Sequence, residues 1–282
     1  MTDSGRGGAD LVMCIVTHGH REFINGCLGS LQSTADSNGY CVVLVDNNPS
    51  DGCGEFVRST YPWVTVIRRE RPYSFAENNN LVYAMFGGSY FLMLNPDTSV
   101  RPGALPTLVN FMERNKSAGA CGPKLVFPDG ALQYSCRRFP TLWSTVLRRT
   151  PIRLLLPHDR RGSSHLMRFS PHHERMSVDW VLGACLLVRR SAIAGTQLLD
   201  SRFPMYCEDI DLCYRLKKAR WKTYYVPEAV VVHHHRAESD RRLLSRSSVL
   251  HTISMVRFGL KHHLFAGRDR ALYPGTILRE PE

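Results

Sequence analysis

Polar side chains that directly follow apolar runs are the residues of this sequence best placed to do chemistry. They are Thr17 and His18 after the run 11–16, Asp46 and Asn47 after the run 41–45, and Asn95 and Asp97 after the run 91–94. Proline cannot donate to a central sheet ladder, so Pro96 predicts that the third run ends at Asn95. Asp97 followed by a hydroxyl residue offers the hard oxygen ligands that Mg²⁺ or Mn²⁺ bridged to phosphate requires. Taken alone, however, the same residues also fit a turn with side-chain caps.

The elements between these runs predict how the polar residues are positioned. Helical patterns over 21–34, 55–60 and 74–86 alternate with the apolar runs and with a short one at 64–67. This alternation predicts right-handed crossovers and a doubly wound, mostly parallel α/β sheet flanked by helices. The carboxyl ends of parallel strands meet at one edge, where ligands bind in such sheets. The three groups of polar residues are therefore expected to converge there.

A second group of acids opens a helix predicted to start at Asp209. Asp209 and Asp211 lie within its first turn, where the helix dipole favours negative charge, and Glu208 directly precedes it. Clustered carboxylates also raise at least one pKa, which suits a general base that works near neutral pH. The sequence leaves open whether these acids only start the helix or whether one of them removes a proton.

Two further features bear on binding. Gly183 and Ala184 interrupt the apolar stretch 178–188, and a glycine inside a strand often marks a close approach of a ligand to the backbone. Three histidines, 233–235, end the β-rich run that begins at Tyr224. A histidine at a strand end is usually structural, but three together are also compatible with a metal ligand.

Length and composition limit the class of protein. The 282 residues, 43% of them hydrophobic, can bury a large core, and no run of eighteen apolar residues predicts a membrane span. Residues 1–10 are polar and glycine-rich and are expected to form a disordered leader. The nine cysteines form no CxxC pair and several lie in apolar runs, which predicts reduced thiols and a cytoplasmic protein.

The charge of +11 favours an anionic partner. Arginines concentrate at 137–161 and 236–246, but no nucleic-acid motif is present and aromatic residues are not interleaved with them, so no nucleic-acid partner is expected. The basic, proline-containing segment 137–177 either covers an acceptor site or is a plain surface excursion. A basic amphipathic helix over 239–259 either packs on the domain or lies on an anionic bilayer.

Together these motifs resemble the inverting family-2 glycosyltransferases with the GT-A fold, and in particular their rhamnosyltransferase-like branch. The matching elements are Ile15–His18, Val45–Asn47, Ser74–Asn80, Leu94–Asp97, Gly122–Leu125, Pro128–Gly130, Gly183–Ala184, Glu208–Leu212, His234 and Ser239. The resemblance implies a GT-A domain over 11–235, with a nucleotide-sugar-binding half (11–100) and an acceptor half (101–235). Residues 236–282 would form a basic helical extension.

The resemblance also assigns roles. Donor-binding residues would be Thr17, His18, Asp46, Asn47, Asn80, Asn95 and Asp97, and acceptor-binding residues would be Gly183, Ala184 and Asp211. Asp97 is the retained last acid of the family's metal motif. The first acid of that motif is replaced here by Asn95. His234 would complete the metal site, with His233 or His235 as alternatives. Asp209 matches the catalytic base, with Glu208 beside it.

The implied function is transfer of a sugar, with rhamnose favoured, from a nucleotide-diphospho-sugar to an acceptor hydroxyl in cell-envelope polysaccharide or glycolipid synthesis. The donor would be dTDP-rhamnose or a UDP-sugar, the acceptor a saccharide or a lipid-linked sugar, and the cofactor Mg²⁺ or Mn²⁺. The enzyme would be cytoplasmic, with peripheral contact at the inner face of the membrane. Pro72 and Ser74 stand where the family usually has Asn and Gly, which leaves the donor open, and Arg220 replaces a common Gly. The alternative is a non-catalytic nucleotide-sugar-binding module with a degenerate metal site.

Overall fold

The computed structural model describes residues 10–140, 167–168, 170–234 and 246–263. The leader 1–9, most of the basic segment 137–177, His235 and the arginine cluster up to residue 245 lie outside the described residues. The described chain is built around one large sheet covered by helices on both faces.

Twelve strands are described. They are β1 (Leu11–Thr17), β2 (Cys41–Asp46), β3 (Thr65–Arg68), β4 (Tyr90–Leu94), β5 (Thr98–Val100), β6 (Ala118–Val126), β7 (Leu132–Gln133), β8 (Cys136–Arg137), β9 (Met176–Val178), β10 (Trp180–Val181), β11 (Cys185–Arg189) and β12 (Lys222–His233). The three buried runs that the sequence analysis singled out are β1, β2 and β4, and each matches its predicted bounds to within one residue. Residues 128–130 join β6 to β7 as an antiparallel pair.

Six α-helices are described. They are α1 (Arg21–Asn38), α2 (Cys53–Thr60), α3 (Phe75–Met85), α4 (Ala104–Arg114), α5 (Glu208–Lys218) and α6 (Arg246–Lys261). Ser74 starts α3 through a capping box, because its hydroxyl accepts from the Glu77 N–H while the Glu77 carboxylate accepts from the Ser74 N–H. None of the described helices is both long and apolar enough to cross a bilayer.

The sheet order is β3-β2-β1-β4-β11-β6-β12-β5, with β7 on β6 and β9 on β12. The half from β3 to β4 is parallel throughout, as predicted. The other half is mixed, because β11 runs antiparallel between β4 and β6, and β5 runs antiparallel beside β12. Strands β1, β2, β4, β6 and β12 all point the same way, so their carboxyl ends share one edge.

Apolar side chains of the sheet alternate between two cores, which explains why the central strands read as continuous hydrophobic runs. On one face, Leu11, Met13 and Ile15 of β1 pack against α1 and α4. On the other face, the intervening residues Val12 and Cys14 pack near α3 and α5. The resulting rigid sheet fixes the edge at which the predicted site residues lie.

Candidate active site

The predicted site residues of β1, β2 and β4 meet at one edge of the sheet. Thr17, the last residue of β1, lies in register with Asp46, the last residue of β2. On the other side of β1, Ile15 lies opposite Leu94, the last residue of β4. Cys185, the first residue of β11, also lies opposite Leu94, so Gly183 and Ala184 reach the same edge from the opposite direction.

Asp46 is fully buried, and neither of its carboxylate oxygens has a hydrogen-bond partner with good geometry among the described residues. Burial raises the pKa of this carboxyl. An unsatisfied buried carboxylate is costly for folding, which makes it a marker of a ligand contact. The carboxylate faces the start of α2, where a Cβ added to Gly54 would lie 2.3 Å from Asp46 Oδ2.

Thr17 and His18 lie beside Asp46 at the end of β1. The Thr17 side chain is fully buried, and its hydroxyl lies 3.6 Å from the Cys53 Sγ. The His18 side chain is exposed, and its Nδ1 lies 3.3 Å from the carbonyl oxygen of Asn47. His18 is therefore the more accessible of these two predicted donor-binding residues.

Asn47 holds the following loop in place. Its Nδ2 donates to the carbonyl oxygen of Tyr73 at 2.9 Å, and its Oδ1 accepts from the N–H of Tyr73 at 2.8 Å. The guanidinium groups of Arg69 and Arg71 lie 3.8 and 4.7 Å from the centre of the Tyr73 ring. Two cations therefore lie beside the strand end that carries Asp46.

The amide of Asn80 is engaged by another part of the chain. Its Nδ2 donates to the carbonyl oxygen of Leu199 at 2.7 Å, and its Oδ1 accepts from the N–H of Leu199 at 2.9 Å. Asn80 therefore ties α3 to the segment before α5. Its predicted contact with a donor stays a prediction, and it would use the second amide hydrogen or the second lone pair of the oxygen.

Asp97 faces a histidine at the end of β12. The Asp97 Oδ1 lies 3.4 Å from the Nε2 of His233, and the Nδ1 of His233 lies 2.8 Å from the Oε1 of Gln133. Burial raises the pKa of Asp97, but the hydrogen bond and charge of His233 outweigh it, and the net pKa lies below its usual range. The carboxylate is thus ionised at neutral pH, as a metal ligand must be.

His234, the predicted metal-site histidine, is placed differently. Its backbone N–H donates to the carbonyl oxygen of Asp97 at 2.9 Å, while its ring packs 5.5 Å from the ring of Phe23. The geometry therefore favours His233 over His234 as the partner of Asp97, and His235 lies outside the described residues.

The Asp97 and His233 pair suits a divalent cation that also binds phosphate. No group of three His, Cys, Asp or Glu side chains able to hold a metal was found among the described residues. Two protein ligands are nevertheless enough for ions such as Mg²⁺, which keep waters and substrate phosphates as further ligands. Because Gln133 Oε1 can only accept, it favours a proton on His233 Nδ1, so that in the neutral ring the lone pair that a metal would bind lies on Nε2, beside Asp97.

Two hydrogen bonds donated by backbone N–H groups connect the Asp97 loop with the second acid group. The N–H of Asn95 donates to the carbonyl oxygen of Ala184 at 2.9 Å, and the N–H of Gly183 donates to Asp209 Oδ2 at 3.0 Å. The Asp97 loop and the Asp209 carboxylate therefore contact the same dipeptide. Gly183 and Ala184, predicted to bind the acceptor, make this connection through their backbone.

The start of α5 combines backbone strain with perturbed acids. Tyr206 and Cys207, which directly precede it, have φ angles of 64° and 70°, and such strain in non-glycine residues clusters at functional sites. Burial, and then the charge of Asp209, raise the pKa of Glu208 to about 8. Burial also raises the pKa of Asp209, although the Gly183 N–H and the charge of Arg137 oppose it. Two adjacent carboxyls with perturbed pKa values fit proton transfer near neutral pH.

Asp211 makes a buried ionic network with α6. Its carboxylate contacts Lys261 at 2.6 Å, His262 at 2.8 Å and Arg215 at 2.9 Å. Lys261 also contacts Asp200 at 2.7 Å. These contacts occupy both oxygens of Asp211, so the structure assigns it a role in holding α6 on α5. Its predicted contact with an acceptor stays a prediction.

The family model of glycosyl transferase family 2 matches residues 12–175, more than half of the chain. The chain belongs to this family. It is a glycosyltransferase, and the GT-A class of α/β fold expected from the sequence is confirmed.

Curated relatives of this family-2 glycosyltransferase include rhamnosyltransferases. The chain is 29% identical over 263 residues to an N-acetylglucosaminyl-diphospho-decaprenol L-rhamnosyltransferase of Mycobacterium tuberculosis (strain ATCC 25618 / H37Rv), covering 89% of this chain and 85% of that protein. It is 28% identical over 271 residues to the rhamnosyltransferase WbbL of Escherichia coli (strain K12), covering 90% of this chain and 94% of that protein.

Solved structures similar to this glycosyltransferase show the same fold. GalNAc-T7 with UDP, GalNAc and Mn²⁺ matches with a TM-score of 0.64 and 18% identity, over 95% of this chain. The chain spans only 53% of the length of that structure. The mannosyltransferase PcManGT from Pyrobaculum calidifontis, in complex with GDP-Man and Mn²⁺, matches with a TM-score of 0.59 and 14% identity, over 95% of this chain and 68% of that one.

The structure adds site residues that the sequence analysis of this glycosyltransferase did not identify. Gln133 orients His233, and Arg137 places a positive charge near Asp209. No local signal singled out His233 among the three histidines, because the preceding run 229–232 is apolar at every position. No local signal marks Gln133, since it contacts a residue 100 positions away.

Replacing Gly54 by alanine is expected to weaken donor binding about 10- to 100-fold. The new Cβ would overlap the Asp46 carboxylate and displace it, which removes one charge-assisted hydrogen bond to the donor. The measurement is donor affinity by calorimetry. Gly26→Ala on α1 is the control, because nothing lies within 4 Å of its added Cβ. Equal donor affinity in both variants would contradict the role of Asp46.

Glu208→Gln is expected to flatten the pH dependence of stability. Because the folded-state pKa of Glu208 is raised from 4.5 to about 8, the folded protein binds more protons than the unfolded chain between these values. The free energy of unfolding of the wild type therefore falls as pH rises through this window, by a few kcal/mol in order of magnitude. Urea unfolding at a series of pH values measures the slope. Parallel curves for wild type and variant would show that Glu208 ionises normally.

Proposed function

We propose that this chain transfers a sugar, with inversion, from a nucleotide-diphospho-sugar to an acceptor hydroxyl in cell-envelope polysaccharide or glycolipid synthesis. The observation that carries the proposal is the pair of hydrogen bonds through Ala184 and Gly183, which joins the Asp97 loop to Asp209. An acid suited to the leaving diphosphate and an acid suited to the attacking hydroxyl thus lie on either side of one dipeptide. In-line displacement needs this arrangement of one charge-stabilising group and one base.

The proposed donor is dTDP-rhamnose or a UDP-sugar. Rhamnose is favoured because the relatives from M. tuberculosis and E. coli are named as rhamnosyltransferases. The buried carboxylate of Asp46, with Thr17 and His18 beside it, would accept hydrogen bonds from the base or ribose. Arg69 and Arg71, stacked on Tyr73 next to this strand end, would add positive charge near the donor phosphates.

Asp97 and His233 would hold the divalent cation. A bound Mg²⁺ or Mn²⁺ supplies Lewis-acid stabilisation of the negative charge that develops on the leaving diphosphate. Because Mg²⁺ prefers oxygen ligands, the imidazole nitrogen favours Mn²⁺ here. Both similar structures described above contain Mn²⁺ with a nucleotide or a nucleotide sugar.

Asp209 would act as the general base. Its Oδ2 accepts from the Gly183 N–H, which orients the carboxylate, and its raised pKa brings proton affinity closer to that needed at neutral pH. Glu208, held neutral below about pH 8, would add no second negative charge beside it. The acceptor hydroxyl would lose its proton to Asp209 as it attacks the face opposite the leaving diphosphate, without a covalent enzyme intermediate.

The proposed acceptor is a saccharide or a lipid-linked sugar. The M. tuberculosis relative is named for an N-acetylglucosaminyl-diphospho-decaprenol acceptor, and a polyprenyl acceptor would bring the enzyme to the inner face of the membrane. Residues 11–100 carry the proposed donor contacts, and Asp209 lies in the half assigned to the acceptor.

A direct test is to incubate the full chain with Mn²⁺, a panel of nucleotide sugars and a polyprenyl-diphospho-N-acetylglucosamine acceptor. Transfer is expected with dTDP-rhamnose and only in the presence of the acceptor, and the anomeric configuration of the product, determined by NMR, is expected to be opposite to that of the donor. Retention of configuration would contradict the inverting mechanism. Binding of nucleotide sugars without turnover on any acceptor would contradict the proposed reaction.

A further inference from the structure

Helix α6 is fastened to the domain along one face. Phe258 and Ser254 are buried, and the Ser254 hydroxyl donates to the carbonyl oxygen of Met205 at 2.8 Å. Lys261 and the adjoining His262 contact Asp211 of α5. The orientation of α6 is therefore fixed relative to the helix that begins with the proposed base.

The opposite face of α6 is apolar and exposed. Val249, Ile253, Val256 and Leu260 have exposed fractions between 39% and 62%. Their spacing of four, three and four residues places them within an arc of roughly 60° at 100° per residue, opposite the buried face. An outward helix face is normally polar, and a contiguous apolar stripe on one marks an interaction surface.

Positive charge borders this apolar stripe. An open hollow of about 770 Å³ lies at its end, lined by Arg202, Arg257, Lys261 and His263 together with Leu260. Asp200 also lines the hollow and pairs with Arg202 and Lys261. Residues 246–263 contain no acidic residue. Aliphatic side chains flanked by cations are typical of helices that lie in the headgroup region of a membrane.

We propose that this face of α6 docks on the surface of an anionic bilayer. The stripe (Val249, Ile253, Val256 and Leu260) would enter the boundary between headgroups and acyl chains, and Arg257 would contact lipid phosphates. The proposal rests on the proposed function in one respect, since docking serves to bring the candidate active site to a lipid-linked acceptor.

Charge and area favour a bilayer over a second copy of the chain. Two copies pairing through α6 would bring Arg257 near its equivalent, in a chain that already carries +11. Four half-exposed aliphatic side chains also fall well short of the roughly 800 Å² per partner that a standard interface buries. An anionic lipid surface complements the charge and needs only a shallow apolar insertion.

Docking through α6 would also place the candidate active site relative to the membrane. Ser254 contacts the backbone of Met205, and the ring of Tyr206 packs 5.2 Å from that of His251. Met205 directly precedes the strained residues Tyr206 and Cys207, which lead into Glu208 and Asp209. An acceptor sugar held at the headgroup level by its lipid would then meet the base from the membrane side.

The test is sedimentation of the full chain with vesicles of phosphatidylcholine alone or mixed with phosphatidylglycerol, in the absence of donor and acceptor. Wild type is expected to bind only the anionic vesicles, with a partition coefficient that falls as salt is raised. The double variant Ile253→Gln/Leu260→Gln is expected to lose at least tenfold in partitioning. Arg257→Gln is expected to weaken binding and its salt dependence. Met85→Gln, which changes an equally exposed apolar residue on α3, is the matched control and is expected to bind like wild type.

Two results would overturn the proposal. One is equal vesicle binding by wild type and the double variant. The other is a wild type that stays off the vesicles while light scattering shows a dimer that the double variant abolishes, which would assign the stripe to a second copy. Nucleotide-sugar affinity in solution is expected to be unchanged in the double variant. Because the vesicle assay needs no substrate, failure of the proposed reaction and failure of membrane docking give separate readouts.

Discussion

Asp209→Asn is expected to lower kcat by about 10²–10⁴-fold while donor affinity stays close to that of the wild type. The amide cannot take the proton of the acceptor hydroxyl. Its carbonyl oxygen can still accept from the Gly183 N–H, although the bond that Asp209 Oδ1 accepts from the adjacent Ile210 N–H is lost, so the Asn95–Ala184 contact is expected to persist. Steady-state kinetics with saturating donor, together with calorimetric titration of the donor, measures the two quantities separately.

The control for Asp209→Asn is Asp129→Asn, which removes an equal charge from the exposed turn between β6 and β7. It is expected to leave kcat unchanged. Turnover of Asp209→Asn at the wild-type rate would show that another group accepts the proton. A parallel loss of donor affinity would instead show that the carboxylate supports the donor site as a whole.

His233→Gln and Asp97→Asn are each expected to reduce kcat/KM by 10²-fold or more and to raise the Mn²⁺ concentration needed for half-maximal activity. Each variant removes one of the two protein ligands proposed for the cation, and a catalytic metal contributes several kcal/mol of charge stabilisation. Gln133→Leu leaves both ligands in place but frees the imidazole, so a smaller loss of metal affinity, about 10- to 100-fold, is expected.

The neighbouring histidine provides a matched control for the cation site. His234→Gln changes a ring that packs on Phe23, and it is expected to keep the Mn²⁺ dependence of the wild type. A larger effect for His234→Gln than for His233→Gln would restore the assignment made from the sequence. Full activity in the presence of a chelator would show that the reaction does not need a metal.

Sequence reasoning predicted the parts of the fold that depend on local pattern. The strands β1, β2 and β4 are buried on both faces, so their residues form uninterrupted apolar runs, and Asp46 and Asn95 mark their ends. The first half of the sheet follows from the alternation of these runs with helices. The placement of β11 between β4 and β6, antiparallel to both, has no local signal, because it depends on pairing between distant segments.

The side chains whose geometry differs from expectation are all held by distant partners. Asn80 is bonded to Leu199, 119 residues away, and Asp211 is bonded to Lys261, 50 residues away. Such contacts cannot be read from residue type, since a polar residue near a motif looks the same whether it binds a ligand or the backbone. The same holds for the histidines, since the continuous apolar run 229–232 does not distinguish His233 from His234, and it is the structure that places His233 beside Asp97.

The double hydrogen bond between the Asn47 amide and the backbone of Tyr73 has a consequence for engineering sugar-nucleotide selection. It joins the end of β2 to residues 69–74 as one unit, whatever side chains that loop carries. A chimera in which this loop is replaced by that of another transferase therefore needs asparagine at position 47 to bond the loop backbone. With that anchor and the Ser74 cap of α3 both kept, residues 69–73 become an exchangeable segment.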